Sequence, residues 1–139
     1  MSLLAIDIGS SRCKAVLFSE SGRTLAQSFH DYSPAFPQPS FAEIDVETLW
    51  SAFCASSRAV ASQSANDPVQ AICIASHGET FVPVGRGGRP LSHAILNMDN
   101  RATAQAAFCE RSLGRRRCYQ ITGLVVHPMF PIPDRKSVV

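Results

Sequence analysis

The chain has 139 residues, which is enough for one domain with a sizeable buried core. Its composition, 45% hydrophobic and 17% charged, is typical of globular proteins, and a net charge of +2 gives no general electrostatic case for binding nucleic acid or an anionic membrane. The five cysteines show no CxxC pair or zinc-ligand spacing, which argues against a disulfide framework or a zinc site. Charged residues interrupt every apolar run, so we expect no signal peptide and no membrane span, and a reduced, cytoplasmic protein whose cysteines are mostly buried.

Three strands joined by short turns are predicted at the start of the chain, at Leu3–Ile8, Lys14–Ser19 and Thr24–Tyr32. Short turns between consecutive strands favour an antiparallel meander. Prolines interrupt regular structure over residues 34–39. An amphipathic helix is then predicted over Val46–Ser64, with Asp45 as its N-cap and Asn66-Asp67-Pro68 as its stop.

The second half of the chain is predicted to contain three strands followed by two helices. Val69–Ala75 is nearly all apolar and contains β-branched residues, which predicts a central strand covered on both faces. Shorter strands are predicted at Phe81–Val84 and Ala94–Met98, and helices at Thr103–Leu113 and Arg115–Ile121. The order β-β-β-α-β, followed by further elements of both kinds, indicates a mixed α/β fold.

The turn between the first two strands, formed by Gly9, Ser10 and Ser11, has two interpretations. It can be a phosphate-binding loop, because glycine allows close approach and small hydroxyl residues add donors without bulk. In that case Asp7, at the end of the preceding strand, can hold Mg²⁺, and Lys14 can reach a phosphate. The loop matches neither the Walker pattern nor GxGxxG, so from these residues alone a plain hairpin turn is at least as well supported.

Two further sets of polar side chains follow apolar strands. His77, Gly78 and Glu79 come after the strand at Val69–Ala75, and strand ends are where α/β sheets present ligand groups. A carboxylate there can accept from two neighbouring hydroxyls of a polyol, but from these residues alone a surface histidine and a solvated turn carboxylate are the better supported interpretation. Asp99 can be a ligand contact or a helix N-cap, and Arg101 a partner for a nearby carboxylate.

These segments together resemble the FGGY carbohydrate kinases, a family that includes xylulose, gluconate and glycerol kinases. The motifs in chain order are Asp7–Lys14 (D-x-G-[TS]-[ST]-x-x-[KR]), Phe41–Asp45 with Leu49-Trp50 (E-x-D…W), Ile72–Phe81, Gly88–Arg101 (G-x-P-L…D-x-R), Ile121–Gly123 and Pro128–Phe130. The resemblance covers about residues 3–133. It departs from the family at Asn97-Met98, where a tryptophan is common, and this leaves the substrate assignment open.

The resemblance implies an α/β, ribonuclease H-like N-terminal domain of the actin-like ATPase superfold, incomplete and spanning residues 1–133, whose mixed sheet starts β-β-β-α-β. In such kinases ATP lies between two domains of this kind. The implied cofactors are therefore ATP and Mg²⁺, with Asp7 as the metal ligand. The implied phosphate-binding residues are Gly9, Ser10, Ser11, Arg12 and Lys14, and the implied substrate-binding residues are His77, Gly78, Glu79 and Asp99.

The implied activity of the parent protein is transfer of the γ-phosphoryl of MgATP to a hydroxyl of a sugar or polyol, most similar to xylulokinase. The family's catalytic aspartate lies downstream of this region, so we expect no catalytic residue and no turnover in this chain. For the full-length protein we consider a homodimer, with no nucleic-acid or membrane partner. Alternatives are a non-catalytic actin-like binding or sensor domain and another kinase of the superfold, such as an acetate or hexosamine kinase. The E-x-D…W and D-x-R segments favour the sugar kinase.

The last six residues, Asp134–Val139, do not resemble the family's continuation after Pro128–Phe130. They can be encoded by GATCGGAAGAGCGTCGTG, which looks like a common sequencing-adapter sequence. We therefore expect residues 134–139 to be a non-native tail. An uninterrupted native reading frame ending at Val139, found by resequencing the locus, would contradict this expectation.

Overall fold

The computed structural model of the chain describes residues 1–64, 67–130 and 133. The predicted tail, residues 134–139, and Asn66 of the predicted helix stop lie outside the described residues. Within the described ranges, no helix is both long enough and apolar enough to cross a membrane.

The described residues form two compact units. The first contains Met1–Pro34 and Ile44–Gly78, and the second contains Ala35–Glu43 and the described residues from Glu79 on. The elements in chain order are β1 (Ser2–Ile8), β2 (Arg12–Ser19), β3 (Thr24–Asp31), β4 (Glu43–Ile44), α1 (Val46–Ala61), β5 (Val69–Ser76), β6 (Ala94–Ile95), α2 (Thr103–Leu113) and α3 (Arg115–Thr122).

The first unit contains a four-stranded mixed sheet with the order β3-β2-β1-β5. β2 pairs antiparallel with both β1 and β3, which confirms the predicted meander. β5 pairs parallel with β1, so the chain must cross over between them, and α1 lies in that connection. The order β-β-β-α-β predicted from the sequence is therefore confirmed, with the two-residue strand β4 inserted before the helix.

One face of this sheet is covered by α1. The helix begins after Asp45, whose carboxylate accepts a hydrogen bond from the N–H of Glu47 at 3.3 Å, as an N-cap does. It ends at Ala61, earlier than the predicted Ser64. It packs mainly against β2 and β3. The buried residues of the sheet and of the helix are Leu4, Ile6, Cys13, Ala15, Leu17, Ala26, Ala52, Ser56 and Val60.

The prediction that Val69–Ala75 is a central, covered strand is wrong. β5 occupies the edge of the sheet, and none of the described strands pairs with its outer side. Ile72 and Ile74 lie in register with the buried Leu4 and Ile6, yet they are 58% and 55% exposed. The reason is that α1 packs over β2 and β3 and does not extend over β5.

The second unit contains Glu43 of β4, followed by β6, α2 and α3, whereas Ile44 of β4 belongs to the first unit. Both helices have the predicted bounds within one residue. The predicted strand Phe81–Val84 is wrong: Phe81 and Val84 form only isolated bridges, to Ile95 and Pro90. Pro83, which lies between Phe81 and Val84, has no N–H to donate to a ladder.

The expectation that most cysteines are buried is wrong. Cys13 and Cys118 are buried, whereas Cys54 and Cys109 are partly exposed and Cys73 is exposed. Cys73 is exposed because it lies on β5, the edge strand that α1 leaves uncovered.

Candidate functional site

The parallel pairing of β1 and β5 places two predicted site segments side by side in the first unit. The two strands end together, with Ile8 in register with Ser76. The carbonyl of Ile8 accepts a hydrogen bond from the backbone N–H of His77 at 3.0 Å, and Nδ1 of the His77 ring lies 2.7 Å from the same oxygen. The loop after β1 and the residues after β5 therefore meet at the carboxyl ends of these two strands, where the sequence predicted ligand groups.

The loop formed by Gly9, Ser10 and Ser11 closes the hairpin between β1 and β2. The N–H of Gly9 donates to the carbonyl of Arg12 at 2.9 Å. A Cβ at position 9 would lie only 3.1 Å from that carbonyl oxygen, so the close approach of the two backbones favours glycine. The loop is thus a tight hairpin turn, as one of the two interpretations of the sequence required.

Donors from outside the loop hold its carbonyl groups. The Tyr32 hydroxyl donates to the carbonyl of Gly9 at 2.5 Å, and the Tyr32 backbone N–H donates to the carbonyl of Ser11 at 3.0 Å. By contrast, the N–H groups of Ser10 and Ser11 have no acceptor among the described residues. Negative carbonyl ends are therefore bound to the protein while two N–H groups stay unbonded, which is the polarity that an anion needs.

Two of the predicted charged residues of the site are unpaired in this unit. Asp7 of β1 and Lys14 of β2 are directly opposite each other in the antiparallel register, and both are exposed. Neither side chain makes a hydrogen bond or an ion pair with any residue that the structure describes. Their charged groups are therefore available to a ligand.

Arg12, the third predicted charge near the loop, is already engaged. Its guanidinium pairs with the carboxylate of Asp31 and lies 4.4 Å from the centroid of the Phe29 ring. The hydrogen bond from Arg12 lowers the pKa of the Asp31 carboxyl. Both side chains are exposed, so this pair contributes little to stability, and a phosphate would have to compete with Asp31 for Arg12.

His77 presents one ring nitrogen without a partner. With Nδ1 beside the carbonyl of Ile8, Nε2 is buried and makes no hydrogen bond in the described part of the chain. Since a carbonyl only accepts, Nδ1 carries the proton and Nε2 of the neutral ring is an acceptor. This nitrogen is suited to receive a hydrogen bond from a hydroxyl. The neighbouring Gly78 has open space where a Cβ would be.

The other two predicted substrate residues, Glu79 and Asp99, belong to the second unit. Glu79 has a positive φ of 66°, an unusual backbone conformation for a residue other than glycine. Two residues later, Phe81 and Ile95 exchange backbone hydrogen bonds of 3.2 and 2.8 Å, which fix this segment against β6. The Glu79 carboxylate is partly exposed and has no partner among the described residues.

Asp99 is buried, with 1% of its surface exposed, and its carboxylate accepts four hydrogen bonds. The donors are the N–H of Ala42 at 2.6 Å, the N–H of Arg101 at 2.8 Å, and Nε and a terminal nitrogen of Arg101 at 2.9 and 2.7 Å. Burial acts to raise the pKa of Asp99, but the bonds from Arg101 and Ala42 outweigh it, and the pKa is lowered overall.

Arg101 extends this cluster to a second carboxylate. Its terminal nitrogen also donates to Glu43 at 2.7 Å, and its guanidinium lies 3.8 Å from the centroid of the Phe41 ring. The predicted pairing of Arg101 with a nearby carboxylate is thus confirmed. Asp99 is not a helix N-cap, because Ala102 occupies the N-cap position of α2, which has no side-chain cap. Its geometry is that of a structural clamp, and a substrate contact through Asp99 stays an untested prediction.

Tyr32, which holds the loop through its bond to Gly9, was not predicted as a site residue. The sequence placed it only in the third strand, and nothing in its local pattern indicates a bond to a residue 23 positions earlier. Among the described residues, no group of three or more histidine, cysteine, aspartate and glutamate side chains is arranged to hold a metal ion. Any metal bound beside Asp7 would need other ligands, such as phosphate oxygens.

A family model describes the FGGY family of carbohydrate kinases, N-terminal domain, and it matches residues 2–134. The chain belongs to this family. Among curated FGGY kinases, the gluconokinase of Bacillus subtilis is 29% identical over 130 residues, covering 94% of this chain and 25% of that protein. The glycerol kinase of Ralstonia nicotianae is 35% identical over 135 residues, covering 92% of this chain and 26% of that protein.

Solved structures of FGGY kinases share the fold of the chain. The xylulose kinase from Rhodospirillum rubrum superposes with a TM-score of 0.91 at 18% identity, covering 99% of this chain and 29% of that one. The gluconate kinase from Lactobacillus acidophilus gives a TM-score of 0.88 at 22% identity, covering 96% and 27%. The predicted α/β fold of the actin-like ATPase superfold is confirmed. The chain spans about a quarter of the length of the curated relatives that it matches.

Proposed function

We propose that the chain is the phosphate- and substrate-side part of a kinase that transfers the γ-phosphoryl group of MgATP to a hydroxyl of a sugar or polyol. The observation that carries the proposal is the polarity of the loop after β1. Its carbonyls at Gly9 and Ser11 are bonded to Tyr32, while the N–H groups of Ser10 and Ser11 have no acceptor in the described part of the chain. Phosphoryl transfer depends on positioning and charge neutralisation, and backbone N–H groups supply both.

Asp7 and Lys14 fit the two charged roles that such a loop requires. Mg²⁺ is usually held by one or two carboxylates together with phosphate oxygens, so the single unpaired carboxylate of Asp7 fits it without a cage of protein ligands. When bound, the ion neutralises phosphate charge. Lys14, directly opposite Asp7, supplies a further positive charge, and Arg12 joins them once a phosphate displaces Asp31.

The substrate side of the proposal rests on two unpaired polar groups. Nε2 of His77 is a buried acceptor, and the carboxylate of Glu79 accepts from neighbouring hydroxyls. Acceptors of this kind suit a ligand with several hydroxyl groups. Matched relatives are named gluconokinase and glycerol kinase, and we propose a xylulokinase-like polyhydroxylated substrate for a cytoplasmic parent protein.

The 139-residue chain alone is expected to show no phosphoryl transfer. We propose that the base that accepts the hydroxyl proton comes from a part of the kinase outside this chain, and a general base contributes about 10²- to 10⁴-fold to such reactions. The measurement is ADP release from MgATP with xylulose, gluconate and glycerol as acceptors. The Bacillus subtilis gluconokinase is the positive control, and acceptor-dependent turnover by the chain would refute the expectation.

Asp7→Asn is expected to abolish the effect of Mg²⁺ on phosphate binding. In the unchanged chain, Mg²⁺ should tighten binding of tripolyphosphate about tenfold, equivalent to about 1.4 kcal/mol, because Asp7 would hold the ion and the ion would neutralise phosphate charge. Titrations followed by the amide NMR signals of Ser10 and Ser11, with and without Mg²⁺, measure the effect. Glu20→Gln is the matched control, since Glu20 is exposed and follows the end of β2 that lies away from the loop. An undiminished Mg²⁺ effect in Asp7→Asn would exclude Asp7 as the metal ligand.

A further inference from the structure

Tyr32 lies just after β3 and makes two bonds to the loop between β1 and β2. Its hydroxyl donates to the carbonyl of Gly9, and its backbone N–H donates to the carbonyl of Ser11. The side chain is buried, with 8% of its surface exposed. A buried hydroxyl that is bonded to a backbone carbonyl holds that carbonyl in one direction.

The direction of the Gly9 carbonyl determines the direction of one of the two unbonded N–H groups. The peptide group between Gly9 and Ser10 is planar, and in the trans form its C=O and N–H point to opposite sides. When Tyr32 holds the Gly9 oxygen on the protein side, the Ser10 N–H must point away from Tyr32. A rotated peptide would instead turn the Gly9 oxygen outward, where it would repel a phosphate.

We propose that Tyr32 is a positioning residue of the phosphate site, whose hydroxyl directs the Ser10 N–H towards a bound phosphate by holding the Gly9 carbonyl. The inference rests on the proposed function, because it needs a phosphate at this loop. Tyr32 does not touch the ligand and acts only through the peptide group. Burial raises the pKa of Tyr32 to about 12, so the hydroxyl keeps the proton that it donates throughout the pH range of phosphate binding.

The test is Tyr32→Phe, which removes the hydroxyl and keeps the ring. Tripolyphosphate is titrated into the isotopically labelled full chain, and the amide signals of Gly9, Ser10 and Ser11 are followed by NMR. We expect the Ser10 signal of the free variant to shift while the signals of β1 and β2 stay in place. Loss of one buried hydrogen bond should weaken tripolyphosphate binding about tenfold.

Tyr119→Phe is the matched control. It makes the same chemical change at the other tyrosine of the chain, whose side chain is 57% exposed and bonds to no described residue. Binding by this variant should equal that of the unchanged chain. If Tyr32→Phe binds tripolyphosphate as tightly as the unchanged chain does, Tyr32 has no positioning role. If the unchanged chain itself gives no response at Ser10 and Ser11, the phosphate loop of the proposed function is refuted as well.

A measurement on the unchanged chain covers the case in which Tyr32→Phe does not fold. A buried, hydrogen-bonded hydroxyl proton exchanges slowly with water and gives its own NMR signal. We expect that signal for Tyr32, with cross-peaks to Gly9 and Ser10. A Tyr32 hydroxyl proton that exchanges as fast as that of Tyr119 would overturn the inference without any variant.

Discussion

Asp99→Asn is expected to lower the free energy of unfolding of the second unit by about 3 kcal/mol, the low end of the range for breaking a buried ion pair. The carboxylate accepts four hydrogen bonds in the folded chain. An asparagine offers one oxygen, and its NH₂ group would face the donors of Arg101. Arg101 keeps its bond to Glu43, and for that reason the loss should not reach the top of the range.

The effect is measured by urea unfolding, followed by circular dichroism at 222 nm. Glu110→Gln is the matched control, because it also removes a carboxylate that pairs with an arginine. That pair, with Arg115, is exposed, and such pairs contribute at most about 1 kcal/mol. Equal losses in the two variants would mean that the Asp99 cluster is not the clamp that its geometry indicates.

The contribution of Asp99 should also depend on pH in a defined direction. Its pKa is lower in the folded chain than the ordinary value of about 3.9 in the unfolded chain. The stabilisation is therefore fully present above about pH 4 and is lost as the pH falls through the folded value. The difference between the unchanged chain and Asp99→Asn should be the same at about pH 5 and pH 7, and smaller at about pH 3. A difference that grows on acidification would contradict this sign.

Elements that depend on local signals were predictable from the sequence. The three strands of the meander follow from apolar runs separated by turn residues, and Asp45 marks the start of α1 because an N-cap acts on N–H groups two or three residues away. The site segments could also be located, since His77 follows an apolar strand and the ends of parallel strands meet at one edge.

Contacts between distant parts of the chain could not be predicted. The bond from Tyr32 to Gly9 depends on the register of β2 and β3, which no local pattern specifies. The prediction that β5 is a covered strand was wrong for the same kind of reason. An apolar strand suggests coverage, but coverage depends on where α1 packs, and α1 lies over β2 and β3.

Leu17→Ala is expected to destabilise the first unit by about 2–5 kcal/mol, whereas Ile72→Ala should cost less than about 1 kcal/mol. Leu17 and Ile72 are both in register with Leu4, on its two sides and on the same face of the sheet. Leu17 is 1% exposed beneath α1, and Ile72 is 58% exposed. Truncating Leu17 leaves a cavity, while truncating Ile72 removes methyl groups that water already reaches.

The comparison is made by urea unfolding, followed by the fluorescence of Trp50, the one tryptophan of the chain, which lies on α1. The apolar sequence of β5 predicts that Ile72 belongs to a core, whereas the structure places it at an open edge. The comparison of the two variants decides between these alternatives. If Ile72→Ala costs as much as Leu17→Ala, this face of β5 is covered in solution. A small cost for Ile72 together with a large one for Leu17 means that α1 alone defines the core of the first unit, and that β5 is retained by its pairing with β1.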